Sequence, residues 1–256
     1  MRVTAVGHAT VLVEVDGVRL LTDPLLRDRI TFLRAGARAR EAALRERLDA
    51  VLVSNFHRDH FDPRSIAHVD PAALVVGPPG TAKRLARRGR TNVAELRPGE
   101  SVDVRGVTVR ATPALHGRMP ERFRSVALGF LVLGSARLYF AGDTDLFPEL
   151  TELASGRLDV ALLPVGGWGP RLGAGHLDPQ RAAEALRLIR PRIAVPIHFG
   201  VLRPLGFGRS NLSYLTQPGR TFARLAAETA PEVEIRLLDP GDSLDVTPAP
   251  SLPEEA

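Results

Sequence analysis

Ala50-Val51-Leu52-Val53-Ser54 runs directly into Asn55-Phe56-His57-Arg58-Asp59-His60. The first five residues read as a short strand of the fully buried type, an apolar run with no polar alternation. The next six place two imidazoles and one carboxylate within four positions, immediately past the strand end. Side chains there are held by a rigid sheet while the loop beyond is free to carry chemistry. Neutral imidazole together with carboxylate suits zinc, with manganese or iron(II) as alternatives. Such an ion lowers the pKa of a bound water to about 7, making hydroxide available at neutral pH.

Working outward, three more polar residues follow apolar, strand-like runs in the same way: His116, Asp143 and His198. Each has a local explanation when taken alone. His116 could be a hydrogen-bonded structural histidine, Asp143 a turn former, His198 a strand-end polar residue, and Asp59 a cap of the following turn. Four such placements together point to one rim and one metal centre.

The rest of the chain supplies the scaffold. Val11–Val15, Asp16-Gly17 and Val18–Leu21 form a hairpin signal with Asp-Gly at the turn. Residues 35–48, rich in Ala, Arg, Glu and Leu, predict a helix. A short helix is expected from Pro63 and another over Gly80 to Arg88. Strands are predicted at Leu74–Val76, Ser101–Val104, Val107–Ala111, Gly129–Leu133, Leu138–Ala141, Asp159–Leu163 and Ile193–Ile197. Asp178-Pro179 opens the clearest helix, with an Asp cap and Pro at the first turn, running to about Arg190. No linker interrupts the chain. The expectation is one α/β domain over 1–246 with strands in two sheets, and a Pro-rich acidic tail over 247–256 that is disordered.

Composition narrows the function. The 256 residues are 44% hydrophobic, enough for a continuous core, and contain no cysteine. Disulfides and thiolate metal sites are therefore excluded, and a metal must rest on His, Asp and Glu. The net charge is +5 and the pI about 10.7, but Lys83 is the only lysine and the arginines are dispersed. No aromatic-interleaved basic patch is present, so no nucleic-acid partner is expected. The N-terminus lacks a basic region followed by an apolar run, and no stretch approaches bilayer length. A cytoplasmic protein without a transmembrane segment is the expectation.

These residues carry a family resemblance. Gly7-His8-Ala9-Thr10, Leu21-Thr22-Asp23-Pro24, His57-Arg58-Asp59-His60, Pro113–His116, Ala141-Gly142-Asp143-Thr144, Leu163–Gly167 and Val195–Gly200 occur in the order and spacing of the metallo-β-lactamase superfamily. Within it the chain resembles the branch of ascorbate-6-phosphate-lactonase-like and N-acyl-phosphatidylethanolamine-phospholipase-D-like hydrolases. The resemblance implies a four-layer αββα sandwich and a metal-dependent hydrolase. It would act with a metal-bound hydroxide on an ester, lactone or phosphodiester of a small, anionic molecule. It also implies ligand roles: His57 and His116 at a first metal position, Asp59, His60 and His198 at a second, and Asp143 bridging. Asp59 would in addition be catalytic, orienting the attacking hydroxide.

The departure is Asn55, where the family signature has histidine. An amide oxygen is a weak zinc ligand, so Asn55 would contribute at most a weak metal or water contact. Three readings stay open: a dinuclear site with a weakened first position, a single ion at the second position, as in the one-zinc subclass of true metallo-β-lactamases, or loss of catalysis. A non-catalytic metal- or ligand-binding protein and a nuclease are the alternatives to hydrolysis. True β-lactamase activity is disfavoured, since those enzymes are usually exported and commonly use a cysteine ligand.

Among the remaining polar residues, His8 follows the first short strand near the expected rim, as a structural hydrogen bonder or a substrate contact. His176 precedes a helix start, where an anionic substrate group would be favoured. Trp168, the only Trp, sits in Gly166-Gly167-Trp168-Gly169-Pro170 and could wall a pocket. Arg118, Arg122 and Arg124 follow His116 and could meet an anion, and His68 lies outside every motif.

Overall fold

The structure, a computed structural model, describes residues 1–35, 40–117, 127–169, 171–206 and 212–248. Arg118, Arg122, Arg124 and positions 249–256 of the expected tail lie outside the described residues. The first half contains β1 (Arg2–Gly7), β2 (Thr10–Val15), β3 (Val18–Thr22), β4 (Arg29–Ile30), β5 (Leu33–Ala35) and α1 (Arg40–Leu44). It continues through β6 (Ala50–Leu52), α2 (Pro63–Ile66), β7 (Leu74–Gly77), α3 (Thr81–Ala86) and β8 (Val93–Glu95). The second half contains β9 (Ser101–Val104), β10 (Val107–Pro113), β11 (Leu128–Leu133), β12 (Arg137–Phe140), a 3₁₀ segment (Pro148–Ser155) and β13 (Val160–Pro164). There follow α4 (Pro179–Ile189), β14 (Ile193–Ile197), β15 (Leu202–Pro204), α5 (Ser213–Thr216), α6 (Pro218–Thr229), β16 (Glu234–Ile235) and β17 (Ser243–Asp245).

Two seven-stranded sheets result, ordered β17-β1-β2-β3-β6-β7-β8 and β16-β14-β13-β12-β11-β10-β9. Each has an antiparallel part built of hairpins and a parallel part built of crossovers. The hairpin turn at Asp16-Gly17 has positive φ at both residues (51° and 76°), the geometry that matches strand twist.

The period of two along each strand sorts the layers. Leu20, Leu52 and Val76 of the first sheet meet Val109, Phe130, Leu138 and Leu162 of the second in one central core. Their neighbours Leu21, Val51 and Val75 face outward against Ala43, Ile66 and Leu85 of α1, α2 and α3. Tyr139, Ala161 and Leu163 face outward against Ala182, Leu186, Phe222 and Ala226 of α4 and α6. This is the expected helix–sheet–sheet–helix sandwich.

One local expectation is corrected. Of the helix expected over 35–48, the described residues show Arg40–Leu44, while Ala35 belongs to β5 in a small sheet with β4 and β15. The Ala- and Arg-rich composition was compatible with a helix, but pairing to β15 claims its first residue. α6 was not among the expected elements; its buried face is Pro218, Gly219, Phe222 and Ala226. No helix among the described residues is long and apolar enough to cross a membrane.

Candidate metal centre

Loops leaving β6, β10, β12 and β14 carry Asn55–His60, His116, Asp143 and His198 to one edge of the sandwich. His198 and His8 are tied across the two sheets by a backbone bond from His198 N to His8 O (3.0 Å). His8, Asp23 and His198 all have positive φ (56°, 31° and 66°). Non-glycine residues held there cost of order 1–3 kcal/mol each, and such strain gathers at functional sites.

Six of the seven histidines join one network of ring contacts; His68 is exposed and apart. His60 and His198 stack, with centroids 4.9 Å apart. Two donor groups could each hold an ion: His8, Asp59, His60 and His198; and His57, His116 and Asp143. Asp143 lies between them, its Oδ2 2.9 Å from His60 Nε2, 3.8 Å from His116 Nε2 and 4.0 Å from His57 Nδ1. Its Oδ1 is 3.3 Å from His198 Nε2 but makes no hydrogen bond of proper geometry.

The acceptors outside the rings settle which ring nitrogens face in. His60 Nδ1 meets Asp23 Oδ2 (2.6 Å), His198 Nδ1 meets Gly166 O (2.7 Å), His116 Nδ1 meets Gly175 O (2.9 Å) and His176 Nδ1 meets Gly173 O (3.1 Å). A carbonyl or carboxylate only accepts, so each Nδ1 carries the proton and each neutral ring turns a bare Nε2 inward. Yet His60 Nε2 and His198 Nε2 are only 2.9 Å apart. Two lone pairs at that distance repel unless a cation or proton stands between them. This second layer of acceptors is how a metal's imidazoles are aimed, so the residues fit a divalent metal.

The electrostatics agree. Burial alone would lower the pKa of His60, but Asp143, Asp23 and Asp59 outweigh it and hold the ring well above its ordinary value. His198 is raised for the same reason, chiefly by Asp143 against its own burial. Burial would raise Asp143 and Asp59, yet the surrounding rings, His198 and His60 foremost, depress both. The buried carboxylates thus draw positive charge into the site, carried by ring protons or by an ion that takes their place.

Two residues take places the sequence reading did not assign. Asp23, fully buried, accepts from Ser54 N (2.7 Å), Ser54 Oγ (2.6 Å) and His60 Nδ1. Its signal in the sequence was its place in Leu21-Thr22-Asp23-Pro24, a stretch of the family resemblance to which no role was attached. Asp145 anchors the two loops of the first donor group: its N bonds Leu115 O (2.8 Å), its Oδ2 accepts from Gly175 N (3.3 Å), and Arg181 pairs with its Oδ1 (2.6 Å). His8, expected as a structural hydrogen bonder or a substrate contact, is buried, with its Nε2 3.2 Å from Asp59 Oδ2. Its ring is packed 4.0 Å from that of His198, and it does not line the cavity over the site.

That cavity, about 570 Å³, opens above Asp143 and His198. Phe32, Phe56, Trp168 and Leu172 make its apolar walls, and Arg58 and Arg171 add positive charge. Phe32 and Trp168 meet edge-on at 5.7 Å and stay 55% and 41% exposed, so the mouth is apolar and open to a ligand. His176 lines the cavity as well.

Comparison with known proteins agrees with the geometry. A family model described as a beta-lactamase superfamily domain matches residues 18–199. A UPF0173 metal-dependent hydrolase of Methanopyrus kandleri is 32% identical over 254 residues, covering 96% of this chain and all of the relative. The N-acyl-phosphatidylethanolamine-hydrolyzing phospholipase D 1 of Caenorhabditis elegans is 32% identical over 79% of this chain and 64% of its own length. Among solved structures, Igni18, a metallo hydrolase of Ignicoccus hospitalis, shares the fold with TM-score 0.69 at 23% identity, covering 95% of this chain and 97% of that one. The αββα sandwich, the histidine–aspartate edge and these matches together place the chain in the metallo-β-lactamase superfamily.

Proposed function

We propose that this metal-dependent hydrolase cleaves an ester, lactone or phosphodiester bond in a small molecule that joins an apolar body to an anionic group. The observation that carries the reading is the convergence of inward-facing imidazole nitrogens on Asp143 beneath an apolar, arginine-edged cavity. When bound, a divalent metal supplies an acidified water as nucleophile and polarises the electrophile. His57, His116 and Asp143 would hold a first ion; Asp59, His60 and His198 would hold a second, with Asp143 beside His60 Nε2 (2.9 Å) and His198 Nε2 (3.3 Å) as its shared carboxylate. Zinc fits this donor set, as do manganese and iron(II).

The chain's own residues then divide the work. Asp59 is the catalytic carboxylate, and its Oδ2 holds the nucleophile's proton. His8 Nε2, 3.2 Å away, donates to that same oxygen and fixes its direction. Arg58 and Arg171 meet the anionic group, while Phe32, Phe56 and Trp168 bind the apolar body and keep water off it. The test is a panel of ester, lactone and phosphodiester substrates with metal-replete protein. Asp59→Ala and Asp143→Ala are expected to abolish turnover, and ordinary turnover by either variant would overturn the proposal.

A further inference from the structure

Asn55 leaves the first position one imidazole short of the family pattern, and its geometry shows that it cannot make up the loss. Asn55 Oδ1 accepts from the backbone N of His57 at 2.8 Å. A backbone N–H only donates, so the amide oxygen must face it, and the other end must be the amine. That amine, Nδ2, points at Asp143 Oδ2 from 3.4 Å. The amide therefore offers a donor to the site and no lone pair.

A different histidine stands beside the same carboxylate oxygen. His176 Nε2 is 3.7 Å from Asp143 Oδ2, a little shorter than the 3.8 Å for His116 Nε2 and 4.0 Å for His57 Nδ1, although it stands outside the tighter group that those three residues form. Donors sharing one tetrahedral zinc stand roughly 3.4 Å apart, from bonds of about 2.0–2.1 Å. The His176 ring meets that of His116 edge-on, with centroids 4.8 Å apart and 81° between planes. Its Nδ1 is committed to Gly173 O, so its Nε2 is the nitrogen left to face Asp143, whose Oδ2 also meets Asn55 Nδ2 and His60 Nε2. A ring nitrogen and a carboxylate oxygen facing each other in this way call for a cation or a proton.

The segment carrying His176 is also built to hold it still. Leu177 is fully buried beside it, and Asp178 caps α4 through Arg181 N at 2.8 Å. On the other side Gly175 (φ +86°) passes so close to the His116 loop that a Cβ there would stand 2.3 Å from Gly117 N. Its carbonyl is the group that orients His116, and its N–H is held by Asp145. The backbone that aims His116 is thus continuous with the residue that supplies His176.

We propose that His176 replaces the imidazole missing at Asn55, so that the first metal position is held by His57, His116, His176 and Asp143 and the chain binds two ions. The inference rests on the metal reading above. It assigns His176 to the metal rather than to a substrate anion.

The test counts ions and measures affinity without any turnover. Chelator-stripped wild type, His176→Ala, His176→Gln, the remote control His68→Ala and the double variant Asn55→His/His176→Ala are titrated with Zn²⁺ by calorimetry. Bound metal is counted by elemental analysis, and thermal melts of the metal-free proteins check folding. Two ions are expected for wild type and His68→Ala. Both His176 variants should retain one ion and bind the other at least 100-fold more weakly, since loss of an outer-layer partner alone costs about 10–100-fold. Asn55→His should restore the second ion in the His176→Ala background. Two ions with unchanged affinity in the His176 variants would overturn the proposal. So would a single ion in both wild type and His176→Ala, with the metal reading left standing. A wild type that binds no ion would overturn the metal reading, and this inference with it.

Discussion

Replacing Asp23 by Asn isolates the part of the site that aims a ligand without touching the metal. Asp23 Oδ1 accepts from Ser54 N, and Oδ2 accepts from both Ser54 Oγ and His60 Nδ1. Ser54 N–H is backbone and cannot turn away, so the Asn oxygen must occupy the Oδ1 position. The amine then takes the Oδ2 position, where Ser54 Oγ can rotate to accept from it. His60 can satisfy that amine only by moving its proton from Nδ1 to Nε2, and the new Nε2–H finds Asp143 Oδ2 at 2.9 Å. Asp23→Asn should therefore fold at the cost of the Ser54 hydroxyl's acceptor, and with the inward nitrogen of His60 blocked. Binding an ion at the second position requires the proton to return, which sets Nδ1–H against an amine. An unsatisfied buried donor costs about 1–3 kcal/mol, which is roughly 5- to 150-fold in affinity at about 1.4 kcal/mol per tenfold. The assay is Zn²⁺ competition against a chromophoric chelator, with the His60 tautomer read from ¹⁵N shifts. A folded variant whose two Zn²⁺ affinities lie within twofold of wild type would refute this account of the second layer.

Further predictions follow from separate features. Gly175→Ala should destabilise by more than about 1–2 kcal/mol, because its left-handed backbone alone costs that much and the new Cβ collides with the His116 loop. Urea unfolding would measure this, and zinc titration should show the first position weakened with it. Trp168→Ala and Phe32→Ala open the apolar mouth, so KM for apolar esters should rise with little change in kcat; an equal fall in kcat would place these rings at the chemistry instead. Phe130, fully buried between the sheets, should cost about 3–5 kcal/mol on truncation to Ala, read as a lowered midpoint in chemical denaturation.

Local signals carried far in this chain. Ala50–Ser54, Asp159–Leu163 and Ile193–Ile197 read as buried strands because both faces of a parallel strand are covered, and β6, β13 and β14 are buried along their whole length. The start of α4 was legible because Asp178 caps it and Pro179 opens it, both of which are local chemistry. His57, Asp59, His60, His116, Asp143 and His198 were legible as a set because each follows an apolar strand. What failed was what depends on partners far along the chain. β5 forms because β15 pairs with it, and α6 is a helix whose small apolar face has meaning only against α4.

The amino-acid sequence by itself determined the fold family, the candidate ligand types and the anomaly at Asn55, since strand burial, capping and residue identity are properties of short stretches. Only the tertiary structure decided which way each ligand points. Asp23 aims His60, Gly166 aims His198 and Gly175 aims His116, and His176 comes to stand beside the carboxylate that Asn55 can only hydrogen-bond. Those relations join residues far apart in the chain through hydrogen bonds a few ångströms long, and such distances exist only once the two sheets have closed on each other.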